Sequence, residues 1–275
     1  MKNLKVIIIA FIAVAALVGL NSCNKTDTVS EPEVAKTTIS DYANIVSSFA
    51  SDFEDELVSG EESVLKSATV ESCFTVTVAK NADGAFYPRV WTMDYLGGTC
   101  TLLSGNTKKG KIHVSLTDFW KNKGSLKTVT FEDYYFNGNK MEGVKTILNT
   151  GLNEKGNLSF AKTVTGASLK YPDGKSISWE CKKTSELVAG GSTILFADDV
   201  YSVTGTGSGV NLDGEKYTLT ITSPMIYKNG CFYPVSGIVT IDTVGGDLQT
   251  IDYGSGECDN LAKLTVGGVT SEIKL

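Results

Sequence analysis

From about residue 70 to the C-terminus the apolar residues recur at every second position, and this alternation limits the possible folds more than any other feature of the chain. Phe74, Val76 and Val78 alternate with threonines, Ile112, Val114 and Leu116 with polar residues, and Val129/Phe131, Ile177/Trp179 and Tyr217/Leu219/Ile221 repeat the pattern. A period of two sends neighbouring side chains to opposite faces, so these segments read as strands buried on one face. Between them stand Asn137-Gly138, Asp173-Gly174, Asp213-Gly214, Asn229-Gly230 and Gly267-Gly268, dipeptides that readily take the positive φ angles of tight hairpins. Parallel strands need long crossovers, and this region leaves no length for them. The expectation for residues 70–275 is an all-β antiparallel domain, built as a meander sheet or as a two-lobed sandwich.

The cysteines add an internal repeat. Beyond Cys23 there are Cys73, Cys100, Cys181, Cys231 and Cys258, and 100 minus 73 and 258 minus 231 both give 27. The match extends to Cys73-Phe74 and Cys231-Phe232, and to Thr92-Met93-Asp94-Tyr95-x-x-Gly98-x-Cys100 and Thr250-Ile251-Asp252-Tyr253-x-x-Gly256-x-Cys258. In an exported chain this spacing points to disulfides; four cysteines allow three connectivities, and the repeat favours Cys73 with Cys100 and Cys231 with Cys258. Cys181 is left over, in phase with Ile177 and Trp179, and is expected in the core. A second echo, of Thr128-Val129-Thr130, Asn137-Gly138, Gly143 and Thr146-Ile147 in Thr220-Ile221-Thr222, Asn229-Gly230, Gly237 and Thr240-Ile241, has offsets of 92 to 94 instead of 158. Two offsets cannot come from one duplication, so the echoes read as a strand-and-turn grammar reused along a sheet.

The N-terminus carries an address. Lys2 and Lys5 precede an apolar run from Val6 to Leu20, shorter than the roughly 20 residues of a membrane-spanning helix. It ends in Leu20-Asn21-Ser22-Cys23, which resembles the lipobox of bacterial lipoproteins. That resemblance implies removal of residues 1–22 as a signal peptide and acylation of Cys23, which then holds the protein to the membrane. Asn24 stands where an Asp would favour inner-membrane retention, so by resemblance to the sorting rule the destination is the outer membrane, with the leaflet left open. Residues 23–37 are polar and read as a lipidated flexible tether. Ile39, Tyr42, Val46, Phe49, Phe53 and Leu57 recur at helical steps, which predicts one amphipathic helix over residues 38–60 with Asp52, Glu54, Asp55 and Glu56 on its outer face.

Together the lipobox, the repeated Asp-Tyr-x-x-Gly-x-Cys, the Asn-Gly hairpin followed by a Gly and a Thr-Ile strand, Thr204-Gly205-Thr206-Gly207-Ser208-Gly209 before Asn211, and the stretch Asp252 to Asn260 look like a group of uncharacterised outer-membrane lipoproteins of Gram-negative anaerobes. The resemblance covers most of residues 70 to 275. It implies an architecture and an address and brings no catalytic residues.

Without Lys2 and Lys5, 23 basic residues face 31 acidic ones, a net charge of about −8. With no basic run, nucleic acid is not an expected partner. His113, the single histidine, falls out of phase with its apolar neighbours and so on the polar face, with no nucleophile tied to it by sequence. One histidine and mostly paired cysteines do not make a zinc ligand set, and neither Asp198-Asp199 nor Asp259-Asn260 lies in a calcium loop, so no metal or cofactor is expected. Asp94 and Asp252 precede glycine-rich turns, where a carboxylate accepts backbone amide hydrogen bonds. The Gly-alternating stretch 204–209 lacks the helix a phosphate loop needs and is expected to be a bulge or turn. Trp120, Tyr134 and Tyr135 sit beside turns, and exposed rings on a β scaffold suit stacking on a glycan or docking a protein at the cell surface. The functional expectation is a non-catalytic binding module on a lipid-anchored outer-membrane lipoprotein. Its alternative is a glycan hydrolase of the envelope working through two carboxylates.

Overall fold

The structure, a computed structural model, describes residues 73–95, 97–101, 106–193, 196–231 and 233–275. The signal peptide, Cys23, the tether and the amphipathic helix expected over 38–60 lie outside the described residues. The described part is all-β. Its strands are β1 (Thr75–Val78), β2 (Arg89–Asp94), β3 (Cys100–Thr101), β4 (Thr107–Leu116), β5 (Leu126–Phe136), β6 (Asn139–Leu152), β7 (Leu158–Lys170), β8 (Ser176–Ala189), β9 (Val200–Val210), β10 (Lys216–Lys228), β11 (Ser236–Thr243), β12 (Gln249–Ser255), β13 (Leu261–Val266) and β14 (Val269–Lys274). A single 3-10 turn, Phe196–Asp198, interrupts the series. Each strand pairs antiparallel with the next in one continuous ladder, except that β2 pairs with β4 and the short β3 adds to β4 alone. Of the two architectures expected from the sequence, the meander sheet is the one formed.

The hairpins explain why the chain returns so regularly. Asn137 and Gly138 have φ of 49° and 79°, and Gly267 and Gly268 have 55° and 82°, the double positive φ that matches a two-residue turn to strand twist. Three longer connections repeat one geometry. In 153–157, 171–175 and 211–215 the first residue's N–H donates to the fifth residue's carbonyl (2.9, 2.9 and 3.0 Å), and a glycine at the fourth place donates back to the first residue's carbonyl (2.9, 3.0 and 3.0 Å). The second sequence echo is a shared bulge. Gly143 in β6 and Gly237 in β11 have φ of 131° and 119°, each at a step in pairing register. A Cβ would stand 2.7 Å from the Ala167 Cα in one case and 2.6 Å from the Met225 Cα in the other, so only glycine fits.

The two disulfides are Cys73–Cys100 and Cys231–Cys258, with Cα atoms 5.3 and 5.5 Å apart. Each spans a hairpin, β1–β2 in the first case and β11–β12 in the second. Antiparallel pairing places the first at the rim of the sheet that carries the Asn137-Gly138 turn, called here the first rim, and the second at the opposite rim. The repeated cysteine motif is therefore a staple used once near each side of the sheet and once at each rim.

One face of the sheet carries the core. Trp91, Met93, Ile112, Val114, Tyr134, Leu169, Ile177, Val239, Ile241, Ile251 and Leu264 belong to one buried cluster that runs from β2 to β13. A smaller cluster of Phe160, Leu187 and Tyr201 lies toward the second rim.

Candidate functional site

The alternation that builds the core face also puts lysines on it. Along β8, Ile177, Trp179, Ser185 and Leu187 are buried, and Cys181 and Lys183 fall between them in the same phase. Cross-strand register aligns Lys127, Ile147, Lys162, Lys183 and Gly205 in one row across β5 to β9. The next row holds Val129, Lys145, Val164, Cys181 and Gly207. Four lysines thus share two adjacent rows of the core face, which lie between the large apolar cluster and the smaller one. Lys162 and Lys183 are direct partners, which puts their Cβ atoms about 5 Å apart.

Strand β9 pairs with β8 beside these side chains. Gly205, Gly207 and Gly209 occupy its core-face positions opposite Lys183, Cys181 and Trp179. The stretch 204–209 lies within strand β9 and not in a turn, and Thr204–Gly205 stand at a step in the pairing register with β10, the bulge expected from sequence. Three successive core-face positions carry no side chain; Tyr217 covers Gly209, while Gly205 and Gly207 stay partly accessible. Lys162, Cys181 and Lys183 are likewise half-buried. Cys181 is a free thiol packed against the large apolar cluster and half-buried, so it is less buried than the core residue expected.

Lys183 is the most telling member. It is half-buried on the core face. Burial pushes its ammonium below the ordinary lysine range, Cys181 pulls the other way, and repulsion from Lys145 adds to the lowering. Among the described residues no carboxylate is paired with it. The sequence did carry a signal for this site, because lysines at 145, 162 and 183 occupy the apolar phase of long strands where charge is costly.

The aromatic candidates are not brought together. Tyr134 is 0% exposed and packs on Phe131 and Tyr95 at ring-centroid distances of 5.1 and 6.1 Å, which corrects the expectation of a ring presented at a turn. A bulge in β5 explains the miss, since the register step between Thr130 and Tyr135 shifts the phase and turns Tyr134 inward. Tyr135 is half-buried, with the Lys109 ammonium 5.5 Å from its centroid. Trp120 is half-buried at the second rim, stacked on Phe160 at 6.0 Å, and its carbonyl accepts from the Asn149 side chain at 2.7 Å. It closes the smaller apolar cluster more than it presents a ring.

On the outer face, Thr92 Oγ1 lies 2.9 Å from His113 Nδ1, and His113 Nε2 lies 2.8 Å from Glu132 Oε2. Lys111 donates to the same carboxylate at 3.0 Å. The row resembles a triad in composition, but it stands on three neighbouring strands, with its threonine in mid-strand. Asp252 accepts from the Gly254 amide at 2.9 Å within β12, a backbone amide bond of the kind expected of it, and Asp94 lies far across the sheet, opposite Lys111.

A groove of about 780 Å³ crosses β7 to β11 near the first rim, with Ser168, Ser178, Glu180, Ser208, Lys216 and Asp242 among its lining. Glu180, Ser208, Thr218 and Asp242 follow one another across the pairing. The two carboxylates are thus three strand spacings apart, about 14 Å along the sheet, beyond the 5 to 10 Å a glycosidase pair uses. Glu180 also leans the other way, toward the Gly166 amide at 3.5 Å. Asp199 is a buried carboxyl whose pKa is raised by desolvation, against the hydrogen bond from Tyr201. Its neighbour Asp198 is held by the Thr193 hydroxyl at 2.9 Å. Among the described residues no three His, Cys, Asp or Glu side chains gather as a metal site would require.

No family model, no curated protein and no solved structure matches this chain.

Proposed function

We propose that the protein is a lipid-anchored outer-membrane lipoprotein, acylated at Cys23, whose β domain is a non-catalytic binding module. The observation that supports the binding reading is the pair of core-face rows opposite the glycines of β9, where Cys181 and Lys183 stay half-buried. The outer groove favours a second ligand of different character. Its serines, threonine, carboxylates and lysine suit the hydroxyls of a glycan, which a glycan array on the intact mature chain would read out, with Glu180→Gln and Lys216→Ala reducing the signal. The hydrolase reading has less support, because the groove carboxylates are too widely spaced.

The anchor has its own test. Wild-type protein should partition into detergent, and Cys23→Ala should remain unprocessed or lose its lipid. Recovery of the wild type wholly in the aqueous phase refutes the anchor. Protease added to intact cells then separates a surface-facing from a periplasm-facing module.

A further inference from the structure

We propose that the outer groove binds a linear, uncharged, β-1,4-linked chain of N-acetylhexosamines laid across the strands. This rests on the glycan reading of that groove and names the glycan. The groove is a trough between two rows of outer-face side chains. Pairing sets Ser168, Ser178, Val210 and Lys216 side by side on β7 to β10. The Val244 amide, bonded to the Lys216 carbonyl at 3.0 Å, continues that row just past β11. Two residues along each strand, the second row holds Glu180, Ser208, Thr218 and Asp242. Between the rows run the backbones of Ala167, Trp179, Gly209, Tyr217 and Thr243, whose side chains are buried or, in Gly209, absent. The trough therefore has a backbone floor and two side-chain walls.

Its size selects a single chain. Rows two residues apart stand about 7 Å from each other, and five strands at about 4.8 Å span about 19 Å. An extended pyranose chain is about that wide and rises about 5 Å per sugar, close to one sugar per strand spacing, so about four sugars fill the length and no width is left for a branch. The walls then select its chemistry. Among the described residues, Ser178, Ser208, Lys216, Thr218 and Asp242 make no side-chain hydrogen bond or ion pair, so these groups are open to a ligand. Glu180 and Asp242 on one wall accept from sugar hydroxyls. On the other wall Val210 and Val244 flank Lys216, and Val244 is 74% exposed. The two valines stand two strands apart, about 10 Å, the interval at which a β-1,4 chain, turned over at every link, presents the same edge again. Acetamido groups at that interval set their methyls on the valines and a carbonyl toward the Lys216 ammonium. Two carboxylates against one lysine, on a mature chain of net charge about −8, disfavour a polyuronate.

The test is titration calorimetry on the mature chain with Cys23→Ser. The probes are chito-oligosaccharides of two to six sugars, cellotetraose, tetragalacturonate, and peptide-free murein strands, which share the N-acetylated β-1,4 backbone but carry a carboxylate on alternate sugars. Affinity should rise about tenfold from the dimer to the tetramer and then level off, while cellotetraose and murein strands bind about tenfold more weakly than chitotetraose and tetragalacturonate not measurably. Val244→Asp should weaken chitotetraose about tenfold and leave cellotetraose unchanged. Ser208→Trp, which fills the trough from an exposed position, should abolish both, with thermal melting unchanged in either variant. Equal affinity of dimer and tetramer, cellotetraose binding as tightly as chitotetraose, or chitotetraose binding that survives Ser208→Trp overturns the proposal. Murein strands binding as tightly as chitotetraose overturn the uncharged class and make the cell-wall glycan the occupant. Cellotetraose or tetragalacturonate bound by the wild type and lost in Ser208→Trp, with no binding of chitotetraose, sinks the N-acetylated class and leaves the glycan reading standing. No binding of any probe, together with a blank glycan array, sinks both.

Discussion

Two stretches of the same face of β7 and β8 differ sharply in side-chain chemistry. Toward the first rim, Ala167, Leu169, Ile177 and Trp179 are 3%, 1%, 0% and 5% exposed. A few residues along, beyond a step in the pairing register of β7, Lys162, Cys181 and Lys183 lie on the same face and stay half-buried. Burying an aliphatic or aromatic side chain contributes about 1.5 to 3 kcal/mol, so the first stretch stabilises the sheet. In the second stretch burial costs the Lys183 ammonium solvation. Alternation thus decides which face a residue occupies, while the residue type decides whether that position stabilises the fold or holds something else.

The widest gap between the two stretches should appear on truncation. Ile177→Ala removes a fully buried side chain from a closed cluster and should lower stability by about 3 to 4 kcal/mol, measured by urea unfolding with the disulfides intact. A loss below about 1 kcal/mol would mean that the apolar stretch is no better packed than the lysine stretch, and the comparison fails. Lys183→Met should move the other way, raising stability by about 1 kcal/mol at neutral pH. The pH dependence follows from the lowered ammonium pKa. In the unfolded chain the amine titrates at its ordinary 10.5, and in the folded chain below that value. Between the two the unfolded state binds more protons, so wild-type stability rises with pH there. The advantage of Lys183→Met should accordingly be full below the folded value and fade as pH approaches 10.5. An advantage that does not change with pH would place its origin in packing instead of charge.

Much of this fold was legible in the sequence, for identifiable reasons. Period-two runs and Asn-Gly, Asp-Gly and Gly-Gly turns encode an antiparallel meander locally, and the 27-residue cysteine spacing follows hairpins that the disulfides close. Bulges were the main obstacle, because one extra residue inverts every later assignment of face. Tyr134 turned inward for that reason, and Gly143 and Gly237 were visible only as an echo without a meaning. The glycine run 204–209 was legible in part. Glycine at successive alternate positions lowers strand propensity, so it read as a bulge or turn; unbroken pairing with β8 keeps it a strand, and the register step with β10 at Thr204–Gly205 is the bulge. The lysine site was legible position by position but not as a site, since which lysines share a row depends on register between strands, and no single strand records it.

The smallest effect should come from the outer face, where the same residue type has the opposite thermodynamic sign. Lys111 there bonds to Glu132, and both side chains are well exposed to water. The Glu132 carboxyl is held below its ordinary 4.5 first by the hydrogen bond from Lys111 and then by that from His113. A carboxyl with a depressed folded pKa contributes stability above its unfolded value, and the contribution disappears as pH falls through the folded value. Glu132→Gln should therefore match the wild type in acid and fall slightly below it at neutral pH. Solvent screens exposed pairs, so the difference in Tm should stay under about 2 °C and shrink further in 0.5 M salt, where the Debye length is only about 4 Å. Raising the charge of the medium in this way should leave the Lys183→Met difference largely intact, because an enclosed ammonium is screened far less. If Glu132→Gln instead produces a shift that salt does not diminish, the Thr92–His113–Glu132 row is not a solvated surface network. The distinction between a costly core-face charge and a cheap outer-face one would then have to be abandoned.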